Sequence, residues 1–574
     1  MEGQIFEKEQ HGIRNFFRML WKAKLPYGWI IGYLISGVLI TNIGISATEY
    51  TAEMFAGNVG LVSVVLPFLA VTLLSLVIGS LSGVLVELCK ARIDRNMRRM
   101  VWSKAVHLPY RYYDNRNPKE LLSRITTDVS SVSSLVMIVF VGMITSAYSV
   151  FATLRRIGSY DTRLMLVLIA ILPVNLGIAF VLGKMRFGIN NQVNQKNAQL
   201  TETIAESSEN LLLVKAMGTE QAEWKKGMKR ADTLYHTTVM NSWIASISSP
   251  AYAISGMLQF MLIVLVGRSF YSSGAITLAE WVAYFAFANN IVNHLTGYCG
   301  DWATFKASQG ATKRITDLML EPEEPAESGI LCEGFSGEIS FSDVNFGYGE
   351  KLLFEHLNLN VSEGQVTAII GPSGSGKTTI LNLLERFYEP NSGKIAIGDK
   401  NIAEYQRKSY REHLGYVTQE TTLFSGTLRE NLLWGSKERI PEERILEVCQ
   451  KVGLGDLLME NGLELVIGED GLNLSGGQRQ RIAIAQMILR RPRYVLLDEA
   501  TSAIDIAGKD MIFETIREEL KGSTIVMVAH DRQTVQKADT VIVLEAGKVT
   551  AQGALKKLQE SEPFVQKLMG GSRE

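Results

Sequence analysis

Cysteine is scarce in this chain. Four occur in 574 residues (Cys89, Cys299, Cys332 and Cys449), far apart and without C-x-x-C spacing. That excludes a disulfide framework and argues against a zinc site. Net charge is equally scarce: the formal balance is −1, so no bulk field draws the chain to nucleic acid, and no nucleic-acid partner is expected. A cleavable leader is not expected either. Residues 1–10 are polar, and the first apolar run is long enough to span a bilayer. Charge is missing altogether between Val59 and Val86. Buried helices of soluble proteins rarely run so long without it, so membrane spans are expected.

What is present divides in two. Apolar segments fall at 27–48, 59–86, 132–154, 164–183, 243–267 and 276–299, each near or above the ~20 residues a helix needs to cross a bilayer. Residues after about 330 instead alternate between strand and helix patterns. The expected architecture is an all-α six-helix transmembrane domain over 1–320, a linker over 321–334, and an α/β domain with a helical subdomain over 335–574. Before the first span, His11–Lys24 is amphipathic: Ile13, Phe16, Phe17 and Leu20 recur at helical spacing, apart from Arg14, Arg18 and Lys22. Such a helix lies on the membrane surface or packs on protein. Pro67, Pro173 and Pro250 fall inside spans and predict kinks.

Lysine and arginine crowd the segment before the first span and the connections 87–131 and 184–242; the 49–58 loop has only Glu49 and Glu53. Cytoplasmic termini follow, against the sense of Arg155, Arg156 and Arg163. Both long connections read as helical. In the first, Asn117 is the expected cap before Pro118 and Glu120, preceded by the aromatic stretch Tyr110–Asp114. In the second, Asn210–Lys215 is more apolar than a solvated loop needs. Both turns are candidates for docking on the soluble half. The sixth span carries Glu280, Asn289, Asn290, Asn293 and His294. Asn290, Asn293, His294 and Gly297 share one helical face, which suits either a wetted substrate pathway or interhelical hydrogen bonds. Asn42, Asn175 and Gln259 are lone and read as structural.

The soluble half is organised around Gly371–Thr379, which lies between the apolar strand Val366–Ile370 and the helical run Ile380–Leu384. The spacing is that of a phosphate loop, G-x-x-x-x-G-K-[ST]. Gly371, Gly374 and Gly376 free the backbone so that successive N–H groups face one concavity, with Ser373 and Ser375 between them. Lys377 is expected on the β- and γ-phosphates and Thr378 on Mg²⁺, with Thr379 opening the helix. Further on, Tyr494–Leu497 ends in Asp498 and Glu499. Asp498 is the expected Mg²⁺ partner and Glu499 the group that polarises the attacking water. Ile525–Ala529 is a buried strand ended by His530, suited to the γ-phosphate. Tyr348 precedes the loop and could stack on adenine. Leu474–Gln478 places Ser475, Gly476, Gly477 and Gln478 at a second anion-binding helix start. One phosphate loop needs only one cradle, so this one suits a nucleotide held elsewhere.

These motifs closely resemble the ATP-binding cassette ATPases, and the whole chain resembles a half-size ABC exporter. The resemblance implies that Gly371–Thr379 is Walker A, Tyr494–Glu499 Walker B and Leu474–Gln478 the signature. It also implies that Tyr348 is the adenine-stacking aromatic, Gln419 the Q-loop glutamine contacting Mg²⁺ and water, Ser502–Asp505 the D-loop and His530 the switch histidine. Gly468–Gly471 resembles an exporter segment that touches the partner's membrane domain, and Tyr110–Arg116 and Asn210–Thr219 resemble coupling regions. Departures are small: Ile504 for leucine, Asp531 for arginine, Gln486 for arginine, and Asn117-Pro118 for a glycine.

The resemblance implies ATP and Mg²⁺ as cofactors and a head-to-tail dimer, either a homodimer or a heterodimer with a related chain. The expected function is ATP-driven export of a hydrophobic, amphipathic or peptide-like substrate. Siderophore import and lipid flipping are the alternatives. The expected location is the plasma membrane, multi-pass, as in a bacterial inner membrane.

Overall fold

The computed structural model describes residues 12–57, 61–114, 116, 118–325, 328–349, 351–436 and 438–570. The chain divides into two compact units: one holds Met1–His107 and Asn117–Glu321, the other Leu108–Arg116 and Pro322–Glu574.

The first unit is helical. Its N-terminal helix α1 spans Gly12–Lys22. Phe16, Met19 and Leu20 are buried, and the Phe16 ring lies 6.2 Å from Phe140. One face of this amphipathic segment therefore packs on protein, while Trp21 beside it is exposed. His11 lies outside the described residues.

Six long helical runs follow. They are α2 (Tyr27–Ala56), α3 (Leu61–Val106), a continuous run α4, α5 (Thr162–Glu209), α7 (Glu220–Ser272) and α8 (Leu278–Leu320), with the short α6 (Leu211–Ala216) between α5 and α7. Run α4 passes from Pro118–Ser123 through two π segments, Arg124–Asp128 and Leu135–Val141, to Gly142–Tyr160. Pro67, Pro173 and Pro250 sit inside α3, α5 and α7.

Among the described residues, three stretches are long and apolar enough to cross a membrane: Tyr27–Ala56, Val62–Val106 and Glu120–Tyr160. The expected spans at 164–183, 243–267 and 276–299 lie within α5, α7 and α8, where many side chains are outside the described set. The same holds for Asn175 and Gln259, and Asn117 is not described at all.

Contacts, some local and some long-range, explain several residues that looked anomalous. Arg156 pairs with Glu49, and Tyr160 donates to Glu49 at 2.6 Å. Arg163 pairs with Asp161 at 2.9 Å. Two of the three arginines that opposed the charge rule are thus neutralised where they stand. Glu280 is a capping group at the start of α8, its carboxylate accepting from the Thr277 N–H at 2.7 Å. His294 shares a 3.1 Å hydrogen bond with Ser149, and Asn42 donates to Tyr148 at 2.9 Å. These are bonds between helices. Asn290 remains exposed.

The second unit is built on two sheets. A four-stranded antiparallel sheet has the order β2-β1-β4-β5, with β1 Ile339–Tyr348, β2 Lys351–Val361, β4 Ser392–Ile397 and β5 Lys400–Asn401. A six-stranded sheet has the order β12-β11-β3-β10-β9-β6. Its strands are β3 Val366–Ile370, β6 Leu414–Val417, β9 Tyr494–Asp498, β10 Thr524–Val528, β11 Thr540–Glu545 and β12 Lys548–Ala554. Strands β3, β9 and β10 are buried at every position, the pattern of a parallel sheet covered on both faces. Parallel registers of β10 with β3 and β9 bring the ends of all three to one edge.

The helical part of this unit includes α10 (Glu442–Lys451) and α11 (Gly476–Arg490), with α9 (Lys377–Leu384) following β3. The stretch read as a linker is packed from its start. Glu324 pairs with Arg411 at 3.0 Å, Ile330 bridges to Tyr405, and the Cys332 N–H donates to Ser409 at 3.0 Å.

Candidate active site

Sheet order assembles the site. The phosphate loop leaves β3, Asp498 and Glu499 end β9, His530 follows β10 and Gln419 follows β6. All four therefore emerge at the C-terminal edge of adjacent parallel strands, the edge where such sheets bind ligands.

In the loop, Gly371 and Gly376 have φ of 152° and 104°. A Cβ would meet the Leu544 carbonyl at 2.0 Å from Gly371, and the Phe354 ring at 2.5 Å from Gly376. Only glycine fits either position. Lys377 Nζ donates to the Gly371 and Pro372 carbonyls at 3.0 and 2.9 Å, which holds the ammonium over the loop. Burial lowers its pKa, while Glu499 and Asp498 oppose the shift. Ser375 is buried with no hydrogen-bond partner at Oγ; Ser373 and Thr378 are exposed. The Tyr348 hydroxyl lies 3.2 Å from Thr379 Oγ1, so its ring stands beside the start of α9.

Asp498 is only 3% exposed, and burial raises its pKa although Thr378 donates to its carboxylate. Its Oδ1 is buried without a partner. A hard cation prefers oxygen ligands, and Mg²⁺ commonly takes one or two protein oxygens plus phosphates. The paired Thr378 hydroxyl and Asp498 carboxylate fit that demand. Among the described residues no cluster of three or more His, Cys, Asp or Glu could cage a metal.

Glu499 takes the left-handed backbone at φ 48°, a strained position for a non-glycine residue. Its carboxylate is shared. Gln419 Nε2 donates to Oε2 at 2.9 Å, and His530 Nδ1 lies 3.3 Å from Oε1. Three residues far apart in sequence thus meet on one carboxylate.

The signature is a separate construction. Ser475 caps α11: its Oγ accepts from the Gln478 N–H at 3.2 Å, and the Gln478 side chain accepts from the Ser475 N–H at 2.9 Å. Among the described residues no hydrogen bond or ion pair joins Ser475–Gln478 to Gly371–Thr379. Gly476 and Gly477 lie against Ala503, where a Cβ would meet atoms at 3.3 and 3.1 Å.

Sequence reasoning missed the tie behind this approach. Gln480 is buried; it donates to Ser502 Oγ at 3.0 Å and accepts from the Ala503 N–H at 3.0 Å. Arg481 adds an ion pair to Asp505 at 3.3 Å. The run of four polar residues Gln478–Arg481 at a helix start, of which Gln480 is buried, was the available signal.

Comparison with known proteins finds relatives along most of the chain. Residues 354–502 match the family model described as ABC transporter, and residues 28–295 match the ABC transporter transmembrane region. A "Multidrug resistance ABC transporter ATP-binding and permease protein" of Lactococcus lactis subsp. cremoris (strain MG1363) is 27% identical over 577 residues, covering 99% of this chain and 97% of its own. An "ATP-dependent lipid A-core flippase" of Chromobacterium violaceum is 27% identical, covering 82% of this chain and 81% of its own. Among solved structures, a bacterial Atm1-family ABC exporter with ATP bound has a TM-score of 0.82 at 22% identity, covering 94% of this chain and 97% of its own. At that identity the likeness establishes the fold.

Proposed function

The chain belongs to the ABC transporters, as a half-size exporter that couples ATP hydrolysis to transport across a membrane, and from that premise we propose how its residues divide the work. Glu499 is the general base. It takes a proton from the attacking water as the γ-phosphorus–oxygen bond to ADP breaks, leaving ADP and phosphate. Gln419 orients that water, and His530 holds a γ-phosphate oxygen. The convergence of Gln419 and His530 on the Glu499 carboxylate is the observation that carries this reading. Lys377, Ser373, Ser375 and the loop N–H groups bind the β- and γ-phosphates, and Tyr348 stacks on adenine. Thr378, Asp498 and Gln419 would hold Mg²⁺, which would supply neutralisation of the phosphate charge during hydrolysis.

Two copies act together, each ATP lying between one chain's Gly371–Thr379 and the other's Ser475–Gln478. Three facts support this arrangement. The signature makes no polar contact with its own chain's loop, each chain carries a complete catalytic set, and the apolar turn at Leu212 is 85% exposed. Closure around ATP drives the helices from inward- to outward-facing, and hydrolysis releases them. The lysine and arginine distribution supports cytoplasmic termini, and the membrane proposed is the plasma membrane. The cargo is hydrophobic, amphipathic or peptide-like; lipid flipping is the second reading, supported by the flippase relative.

Glu499→Gln should retain ATP while turnover falls at least about 100-fold. Near-normal hydrolysis would remove Glu499 from the role of base. The mass of the purified chain expressed alone tests the pairing: an active dimer supports it, and an inactive monomer points to a different partner chain. Uptake of labelled lipid or amphipathic dye into inside-out vesicles tests direction.

A further inference from the structure

Residues 108–116 sit in sequence between two long helices of the first unit, yet they belong structurally to the second. An aromatic residue fastens them there. Tyr110 stacks on Phe387 with ring centroids 5.0 Å apart, and meets Tyr388 edge-on at 5.9 Å. Tyr388 is only 6% exposed. On its other side it meets Tyr348 edge-on at 5.0 Å, and Phe346 at 5.7 Å. Its hydroxyl donates to the Asp114 carboxylate, and burial together with that bond raises its pKa. One ring therefore touches both the 108–116 turn and the tyrosine assigned to adenine.

Edge-to-face pairs have preferred geometry as well as buried area. If adenine stacks on Tyr348, that ring is fixed, and so is the face that Tyr388 packs against. We propose that Tyr388 is a positioning residue that links base occupancy at Tyr348 to the seating of the Leu108–Arg116 turn within one chain. This rests on the adenine-stacking reading of Tyr348. Linkage is reciprocal: loosening the turn must weaken ATP by the factor with which ATP tightens the turn. The route is distinct from closure across the dimer, because it needs only residues of a single chain.

The test uses the full chain carrying Glu499→Gln, in nanodiscs, with and without Mg-ATP. Hydrogen exchange of residues 108–116 should slow about fivefold on ATP binding. Tyr388→Leu should cut that ratio below about twofold at saturating ATP. At the other end, Asp114→Asn, which lies on the turn, should raise the Kd for ATP by about fivefold. Full ATP-dependent protection in Tyr388→Leu, or no protection in the parent, overturns the link. Should Tyr388→Leu fail to fold, Tyr388→Phe and Asp114→Asn remain. Tyr388→Phe deletes the donor of that hydrogen bond and Asp114→Asn removes the charge on its acceptor, so adding Asp114→Asn to Tyr388→Phe should change nothing further, and additive effects overturn the proposal. Tyr348→Ala separates the underlying reading: unchanged ATP affinity there sinks the adenine assignment, whatever happens at Tyr388.

Discussion

Two short turns between the long helices of this chain are built to the same plan and end differently. Each is a short aromatic or apolar segment between long helices. Tyr110 of the first stacks on Phe387, with Tyr388 closing its flank. Leu211, Leu212 and Leu213 of the second are exposed, Leu212 most of all. Exposing three consecutive leucines on one short helix is costly unless something covers them. The difference teaches that similar turns need not be seated alike: the first lies against aromatic rings, while the leucines of the second stay exposed. On the proposed pairing of two copies, the second turn would reach the other copy.

The largest break in the comparison should come from Leu212→Asp. A seated leucine contributes about 2 kcal/mol by burial, and a carboxylate in its place costs more. ATPase turnover in nanodiscs should fall about tenfold or more, with ATP affinity within about twofold of the parent. Unchanged turnover would mean that this turn is simply solvated.

Tyr110→Ala should act next, lowering turnover by about fivefold through lost stacking and burial. If the two turns occupy separate seats, combining Tyr110→Ala with Leu212→Asp should give the product of the single effects.

The smallest effect should come from Glu385, beneath the first seat. Burial pushes this carboxyl up to about 7, opposed by Arg411 and Arg490. Arg411 also lies over the Phe387 ring, 5.2 Å from its centroid. Between about pH 4.5 and 7 the folded chain holds a proton that the unfolded chain has lost. Stability therefore falls as pH rises through that window and levels off above it. Glu385→Gln should flatten the slope, shifting the unfolding midpoint near pH 8 upward by a few degrees and leaving it little changed near pH 4.

Motifs whose chemistry dictates spacing were legible in the sequence. The phosphate loop needs glycine at Gly371 and Gly376 because backbone and ring atoms crowd both positions, and that need is written as a local pattern. The half-size exporter fold was legible for the same reason, joined to uncharged runs such as Val59–Val86. Contacts between distant segments left no local trace. Nothing near Arg156 announces Glu49, and nothing near Glu324 announces Arg411. Glu280 was read as a polar group inside a span, although Thr277 three residues earlier spelled a capping box. Tyr388 carried no signal at all, since its importance lies in the rings on either side of it.

Gln480 ties the start of α11 to Ser502 and Ala503, only a few residues beyond Glu499. In a head-to-tail pair these two attachments serve different nucleotides: the base acts on the ATP held by its own chain, the helix start on the ATP held by the other. A single short stretch then feels both triphosphates, so cleavage of one unsettles the grip on its neighbour. Two such pockets would be coupled rather than independent.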